Sequence, residues 1–396
     1  MINTLRNKFN SEFSKDHYQR ILELLEKGAG EAPEFRISES PIFLSNELKK
    51  KLLEVSESII DQLASISREE LALAIPPHLK VPGKTNHPHF IAIDFGLCHN
   101  AQQEVEPQLI ELQGFASLFS FQHFFSQTLR SEYPWLKELS GISEVKDPIG
   151  LLKKVILSHH AAENVVLLEL HPEKQKTRID FHLTEDYLGI ETVCVTKVEK
   201  EGRMLYYWKN GVKTPIHRIY NRVIFDELDR ENALNLNFSF QEDLNVEWVA
   251  HPNWFFMISK YLLPSLEHKY IPKTYFAHEF PAKENIKDYV LKPLFSFAGS
   301  GVNLHPTEMD LKTLKKPSQF IVQKKVSYAP LFTDINGEKA KAEIRLLYLW
   351  EDSAPRPELT DCIVRMTKSE MANVDFNRNA NIWTGSSVAF FTKEGN

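Results

Sequence analysis

YVLKPLFSFAGSGVNL, residues 289–304, ends a short apolar run on Lys292 and Pro293 and follows it with a loop containing Gly299 and Gly301. The run DYVLK has the length and composition of a strand, which would deliver Lys292 to a sheet edge. Small residues let main-chain N–H groups turn toward an anion, and a lysine adds a point charge. Those are the requirements for holding phosphates. The same spacing also suits a glycine-dependent hairpin turn with an exposed lysine, and it matches neither GxxxxGK[ST] nor GxGxxG between a strand and a helix. The stretch alone leaves both readings open.

Upstream, HFIAIDF (89–95) and QLIELQGF (108–115) read as two strands of a hairpin. Residues two apart on a strand share a face, so Glu111 and Gln113 project together and the hairpin partner would bring Asp94 beside them. Two carboxylates and an amide oxygen make a hard oxygen site of the kind Mg²⁺ occupies with substrate phosphates, while the wet face of an edge hairpin explains them equally. In HPNWFFMISKYLLP, Lys260 interrupts an apolar segment, either snorkelling to the surface or held for an anionic ligand. Arg365 in DCIVRMTK and Arg345 in KAEIRLLYL would serve as anion clamps, or with Glu343 as ordinary cross-strand ion pairs.

The chain around these residues is ordinary in make-up: 396 residues, 42% hydrophobic, 25% charged, with a formal charge of -6. That is enough for two or three domains and offers no basic excess for nucleic acid or an anionic membrane. Cys98, Cys194 and Cys362 lie far apart with no CxxC pair, so a disulfide framework is not expected and a reducing cytoplasm is the simplest compartment. Neither a signal peptide nor a run of about 18 apolar residues is apparent, which points to a soluble protein without a membrane partner.

Residues 11–75 read as helices, forming an N-terminal preface that extends to about 80. The hairpin and a helical stretch follow over 81–158. Over 159–240, NVVLLEL, PEKQKTRIDFHLTEDYLG and IETVCVTKV form a strand, helix, strand unit, followed by a turn at Lys209-Asn210-Gly211. From 241 onward, WVAHPNWFFMISKYLLPSLE reads as a buried helix and the rest as alternating strands and loops. The class is therefore α/β, with α+β character.

The order of these features resembles the synthetase domain of glutathionylspermidine synthases: HPNWFFMISKYLLP, then YVLKPLFSFAGSGVNL, FIVQKKV and CIVR, preceded by a hairpin with Asp and E-x-Q. The resemblance covers about residues 85–395, and no Cys/His amidase half is expected ahead of it. It implies an ATP-grasp-like fold with a Rossmann-like α/β subdomain over 159–240, to which the helical N-terminal segment is added. It implies that Lys260 and Lys292 contact nucleotide phosphates, that the loop Ser296, Gly299, Ser300, Gly301 closes over them, and that Gln323 lies beside the adenine. Asp94 and Glu111 match the family's Mg²⁺ ligands, and Gln113 stands where asparagine is usual. Arg365 matches an arginine that stabilises the transferred phosphoryl group. Where the family has a further arginine before the metal aspartate, this chain offers His87 and His89.

The expected activity is that of an ATP-dependent carboxylate–amine ligase acting through an acyl phosphate, with ATP and Mg²⁺ as cofactors and a small-molecule or peptide carboxylate and an amine as substrates. Arg218, Asn221 and Arg222 in HRIYNRV, and Arg345, are the candidate substrate contacts, because arginine suits a carboxylate. The alternatives are a nucleotide-binding scaffold without ligase activity and an ATP-dependent kinase. The pairs His159-His160 and His87-Pro-His89 read as polar loop or core residues rather than a zinc site. NVDFNRNANIW, with Asn373, Asp375 and Asn377, lacks the glycine and terminal glutamate of an EF-hand.

Overall fold

A computed structural model of the chain describes residues 2–83, 85–225, 228, 234–296, 299–370 and 382–393. The loop with Asn373, Asp375 and Asn377 lies outside them. The N-terminal segment contains α1 (Asn3–Glu12), α2 (Lys15–Ala29), β1 (Ile42–Leu44), α3 (Asn46–Ser65) and α4 (Arg68–Ala72). Helix α3 starts at Ser45, whose side chain accepts from the Leu48 N–H, and buries Leu48, Leu52, Val55, Ile59 and Leu63 at helical spacing. Strand β1 is absent from the helical reading of 11–75, because three residues carry no periodic signal.

Next come β2 (Phe90–His99), β3 (Val105–Gln113), α5 (Phe119–Glu132) and α6 (Pro148–Leu157). A parallel unit follows: β4 (Val165–Glu169), α7 (Arg178–Leu188) and β5 (Glu191–Cys194). Strands β6 (Glu199–Glu201), β7 (Met204–Lys209) and β8 (Val212–Ile216) form an antiparallel sheet. Asn210 and Gly211 turn β7 into β8 with φ of 50° and 80°, the positive angles a tight hairpin turn requires. Strands β9 (Arg218–Asn221) and β10 (Glu247–Val249) join β4 and β5 in the order β10-β9-β4-β5. The segment expected as one buried helix is broken instead into a short helix, Asn253–Met257, and a 3₁₀ segment, Lys260–Ser265. Pro252 caps the start of the first piece, the chain is extended at Ile258 and Ser259 between the two, and Pro264 inside the second lacks an N–H to continue a ladder.

Strands β11 (Thr274–Phe276), β12 (Tyr289–Pro293) and β13 (Phe320–Lys324) form a small antiparallel sheet in the order β11-β13-β12. The central six-stranded sheet adds β14 (Phe332–Thr333), β15 (Lys339–Leu349), β16 (Glu358–Thr367) and β17 (Gly385–Ser387) to the hairpin, in the order β17-β16-β15-β2-β3, with β14 beside β15. Finally β18 (Ala389–Phe391) pairs in parallel with β1, Phe43 opposite Phe390. The central sheet is covered on both faces: Ile91, Ile93, Phe95 and Leu97 pack in one core with α3, while Phe90 and Ala92 pack in another with α6 and β4. Asp94 belongs by alternation to the second face and is itself 1% exposed. A charge so placed must be paired.

Candidate functional site

The central sheet writes a row of charges across four strands. Glu343 on β15 stands opposite Arg365 on β16, Arg345 opposite Asp94 on β2, and Asp94 opposite Glu111 on β3. A bulge after Asp94 shifts the hairpin register there. The row forms one wall of an open cleft of about 380 Å³, whose other walls carry Lys292, Gln323, Tyr328, Gly299, Glu169 and Arg222.

The two lysines come in from separate elements. Lys260, from the 3₁₀ segment, donates to Glu111 Oε2 at 3.2 Å and to the Ser296 carbonyl at 2.9 Å. Lys292, on β12, donates to the Ile110 carbonyl at 3.0 Å and to Gln323 Oε1 at 2.5 Å. Lys292 is 8% exposed, and burial pushes its pKa down to about 8, with nearby Glu111 opposing that fall and Lys260 adding to it. The loop leaves β12 after Pro293 and returns as Asn303, which exchanges two backbone hydrogen bonds with Leu291. It is thus a hairpin-like return as well as a cleft margin. Gly299 lines the cleft, Ser300 and Gly301 are exposed, and residues 297 and 298 lie outside the described set.

The carboxylates are all engaged by protein donors. Arg345 holds Asp94 by Nε to Oδ1 at 2.6 Å and by Nη2 to Oδ2 at 2.8 Å, and Arg365 also donates to Asp94 Oδ2. Glu111 accepts from Lys260 on Oε2 and from the Gln113 amide on Oε1. Glu343 accepts from the Tyr328 hydroxyl on Oε1, and its Oε2 lies 2.8 Å from Arg365. Burial would raise the Asp94 pKa, but the two guanidiniums hold it below the usual carboxylate range. Burial prevails at Glu343 and raises it, despite Arg365. Burial also works against the charge of Arg365, yet Asp94 and Glu343 keep it more firmly protonated than usual.

Asp94, Glu111 and Gln113 therefore converge, but as members of an ion-pair network. Every carboxylate oxygen of Asp94 and Glu111 faces a cation or an N–H, and Gln113 turns its nitrogen toward Glu111. In this arrangement they do not fit Mg²⁺, which needs oxygen lone pairs directed at a common point. Glu343 and Tyr328 are site residues that their strand and loop settings marked only weakly. The E-x-R spacing of Glu343 and Arg345 repeats the E-x-Q spacing of Glu111 and Gln113 and is the signal for them.

Gln323 lines the cleft, where its oxygen accepts from Lys292 and its nitrogen donates to the Leu109 carbonyl at 3.2 Å, so the side chain positions Lys292. Of the substrate candidates, Arg222 lines the cleft, donating to the Ala116 carbonyl and lying 5.2 Å over the Phe115 ring. Asn221 is buried and turns its amide to the Val223 carbonyl. Arg218 points into a different cleft, where it pairs with Glu247 and Asp352. His89 likewise turns away, by strand alternation, to bond Asp352 at 2.8 Å, and His87 stacks on Trp350. Neither histidine substitutes for an arginine beside Asp94.

Five carboxylates and six lysines and arginines line the cleft, a surplus of one positive charge before Lys260 behind Glu111 is added, which suits an anion. No family model matches the chain, and no curated protein matches it. Among solved structures, it superposes on a glutathione synthetase-like effector from Globodera pallida in its apo form, with a TM-score of 0.60 and 12% identity, covering 95% of this chain and 97% of that one. The fold is glutathione synthetase-like. It is of the ATP-grasp type, a mixed α/β architecture in which the central sheet, the small β11-β13-β12 sheet and the end of β4 line the cleft. Among the described residues no helix is long and apolar enough to cross a membrane.

Proposed function

We propose that the chain is an ATP-dependent carboxylate–amine ligase of the glutathionylspermidine synthase kind, with the nucleotide and the acid meeting in the charged cleft. One observation carries the reading: Lys292, Arg345 and Arg365, drawn from three separate elements, converge beside a glycine-bearing loop on a cleft of small-molecule size, with Lys260 paired to the Glu111 that lines it. In the reaction, a substrate carboxylate oxygen attacks the γ-phosphorus, the bond to the β-bridging oxygen breaks and ADP leaves. The amine then attacks the acyl carbon, inorganic phosphate leaves and the nitrogen gives up a proton. The four cations neutralise charge spreading over the transferred group. Glu343, its proton affinity raised by burial, is the group in the wall best suited to take the amine's proton. Val290, Val302, Leu304 and Val326 give the cleft an apolar margin for a flat base, and Arg222 on the opposite side suits the acid. No step is assigned to Mg²⁺, because the carboxylates as placed do not offer it ligands.

A second reading, a nucleotide-binding scaffold without ligase chemistry, is favoured by that same closed network around Asp94. The test is ATP binding by calorimetry followed by phosphate release with pooled acids and amines. The ligase reading expects phosphate release that requires both substrates, and Lys292→Ala should weaken ATP binding by about 1.5–3 kcal/mol. Binding without any amine-dependent release would establish the scaffold reading. A folded protein that ignores ATP would overturn both.

A further inference from the structure

A second cleft, of about 470 Å³, shares no lining residue with the first. It lies where the end of α6 meets β9 and β10. After Leu157 the chain turns through Ser158 at a φ of 50°, and the His160 N–H closes the turn on the Leu157 carbonyl at 2.9 Å. Consecutive side chains ordinarily diverge, but this turn leaves the His159 and His160 rings 4.1 Å apart. Glu247 opens β10 directly opposite Arg218 on β9, which brings its carboxylate to the histidine pair. One ligand atom from each of His159, His160 and Glu247 lies within 4.8 Å of the others, the one such trio of His, Cys, Asp or Glu among the described residues.

Two independent features point to a cation between them. His160 Nε2 is shut off from solvent and lies 3.1 Å from Glu247 Oε2. A ring nitrogen and a carboxylate that face each other at this distance are placed to share a metal in place of a proton. Arg218, itself 3% exposed, clamps Glu247 Oε2 at 2.5 Å and Asp352 at 2.8 Å while donating to the Val155 and Ile156 carbonyls. That is the kind of support that fixes a ligating carboxylate. With neutral imidazoles, Glu247 and Asp352 against Arg218 leave one negative charge in surplus.

We propose that His159, His160 and Glu247 form a binding site for a divalent first-row transition ion, Zn²⁺ being the probe. Two imidazoles and one carboxylate select such ions over Mg²⁺ or Ca²⁺, and three protein ligands leave a fourth position open to the cleft. Tetrahedral ligands at about 2.0–2.1 Å from zinc are roughly 3.4 Å apart, so the trio needs to close by little more than an ångström.

The experiment is zinc titration of the full chain against a chromophoric chelator, with His159→Ala, His160→Ala and Glu247→Gln variants checked by circular dichroism. Glu111→Gln serves as the control for the charged cleft. The expected result is one zinc per chain, weakened about tenfold or more by each of the three substitutions and untouched by Glu111→Gln. The Co²⁺-loaded protein should show visible ligand-field absorption that the histidine variants lose. Because His159 is exposed, its replacement keeps the test interpretable even if a variant at His160 folds poorly. Zinc that binds the His159→Ala protein as tightly as the wild type, or an absence of saturable binding, overturns the proposal.

Discussion

Arg345 grips both oxygens of Asp94, at 2.6 and 2.8 Å, from the neighbouring strand of the central sheet. The aspartate is inaccessible to water and the arginine nearly so, with a side chain 11% exposed. Removing one partner of such a pair strands the other's charge, whereas the pair itself contributes little net stability. Asp94→Asn should therefore destabilise the fold by about 3–5 kcal/mol, measured by urea denaturation. A loss below about 1 kcal/mol would mean that Arg345 and Arg365 re-solvate through the cleft.

Lys292 gives the cleft a pH signature. Its folded-state pKa of about 8 lies below the ordinary 10.5, so between those values the unfolded chain binds more protons and this group makes stability rise with pH. The charge that an anion needs disappears over the same interval. ATP affinity should fall about 10-fold or more as pH rises past 8, and Lys292→Arg, which stays charged, should flatten that fall. Parallel pH profiles for the two proteins would remove Lys292 from the site.

The network around Asp94 and Glu111 makes a claim about metal. With every oxygen of the two carboxylates facing a protein donor, ATP should bind nearly as well in EDTA as in Mg²⁺. Glu111→Gln, which removes a negative neighbour of Lys260, should leave that binding equal or tighter. Calorimetry decides it. Binding that requires Mg²⁺ and fails in Glu111→Gln would mean that the arginines release Asp94 when nucleotide arrives.

Gly96 is the residue that lets Tyr328 into the site. A Cβ there would stand 2.4 Å from the Tyr328 ring, which lies over the strand and donates to Glu343. Gly96→Ala should cost about 1–3 kcal/mol through overpacking and should lower the raised pKa of the tyrosine as the ring moves out. Ultraviolet difference titration reads the second effect directly, and an unchanged tyrosine transition would show that the ring has room.

Much of this was legible in the sequence, and the reasons are local. Asp94 and Glu111 meet because a hairpin of alternating strands fixes which residues oppose one another, and Lys260 and Lys292 declared themselves as charges in apolar runs. Arg218 was misplaced because HRIYNRV tells that Arg218 and Asn221 face opposite ways but not which face meets the cleft. The bond from Lys292 to Gln323 was not legible because it is set by the pairing of β12 with β13 at Val290 opposite Gln323, a tertiary register invisible from either strand alone. The broken helix at 253–265 shows hydrophobic spacing overruled by the extended turn at Ile258 and Ser259 and by Pro264 beyond it. The full engagement of the carboxylates depends on four elements at once, and no single window of sequence contains it.

The pairing of β1 with β18 couples residues near 43 to residues near 390. The aromatic cluster that seats the first helices needs Trp383 and Phe390 as well as Phe9, Phe43 and Tyr133. Helix α2 finds α5 and α7 much earlier in the chain, but the part of the cluster around Phe9, Phe43 and Tyr133 is completed only by Trp383 and Phe390. Such long-range closure is slow and leaves sticky surface exposed meanwhile. A nascent chain arrested before residue 380 should therefore keep the Phe9 end of the cluster open to protease and chaperone, with β18 and Trp383 acting as the latch.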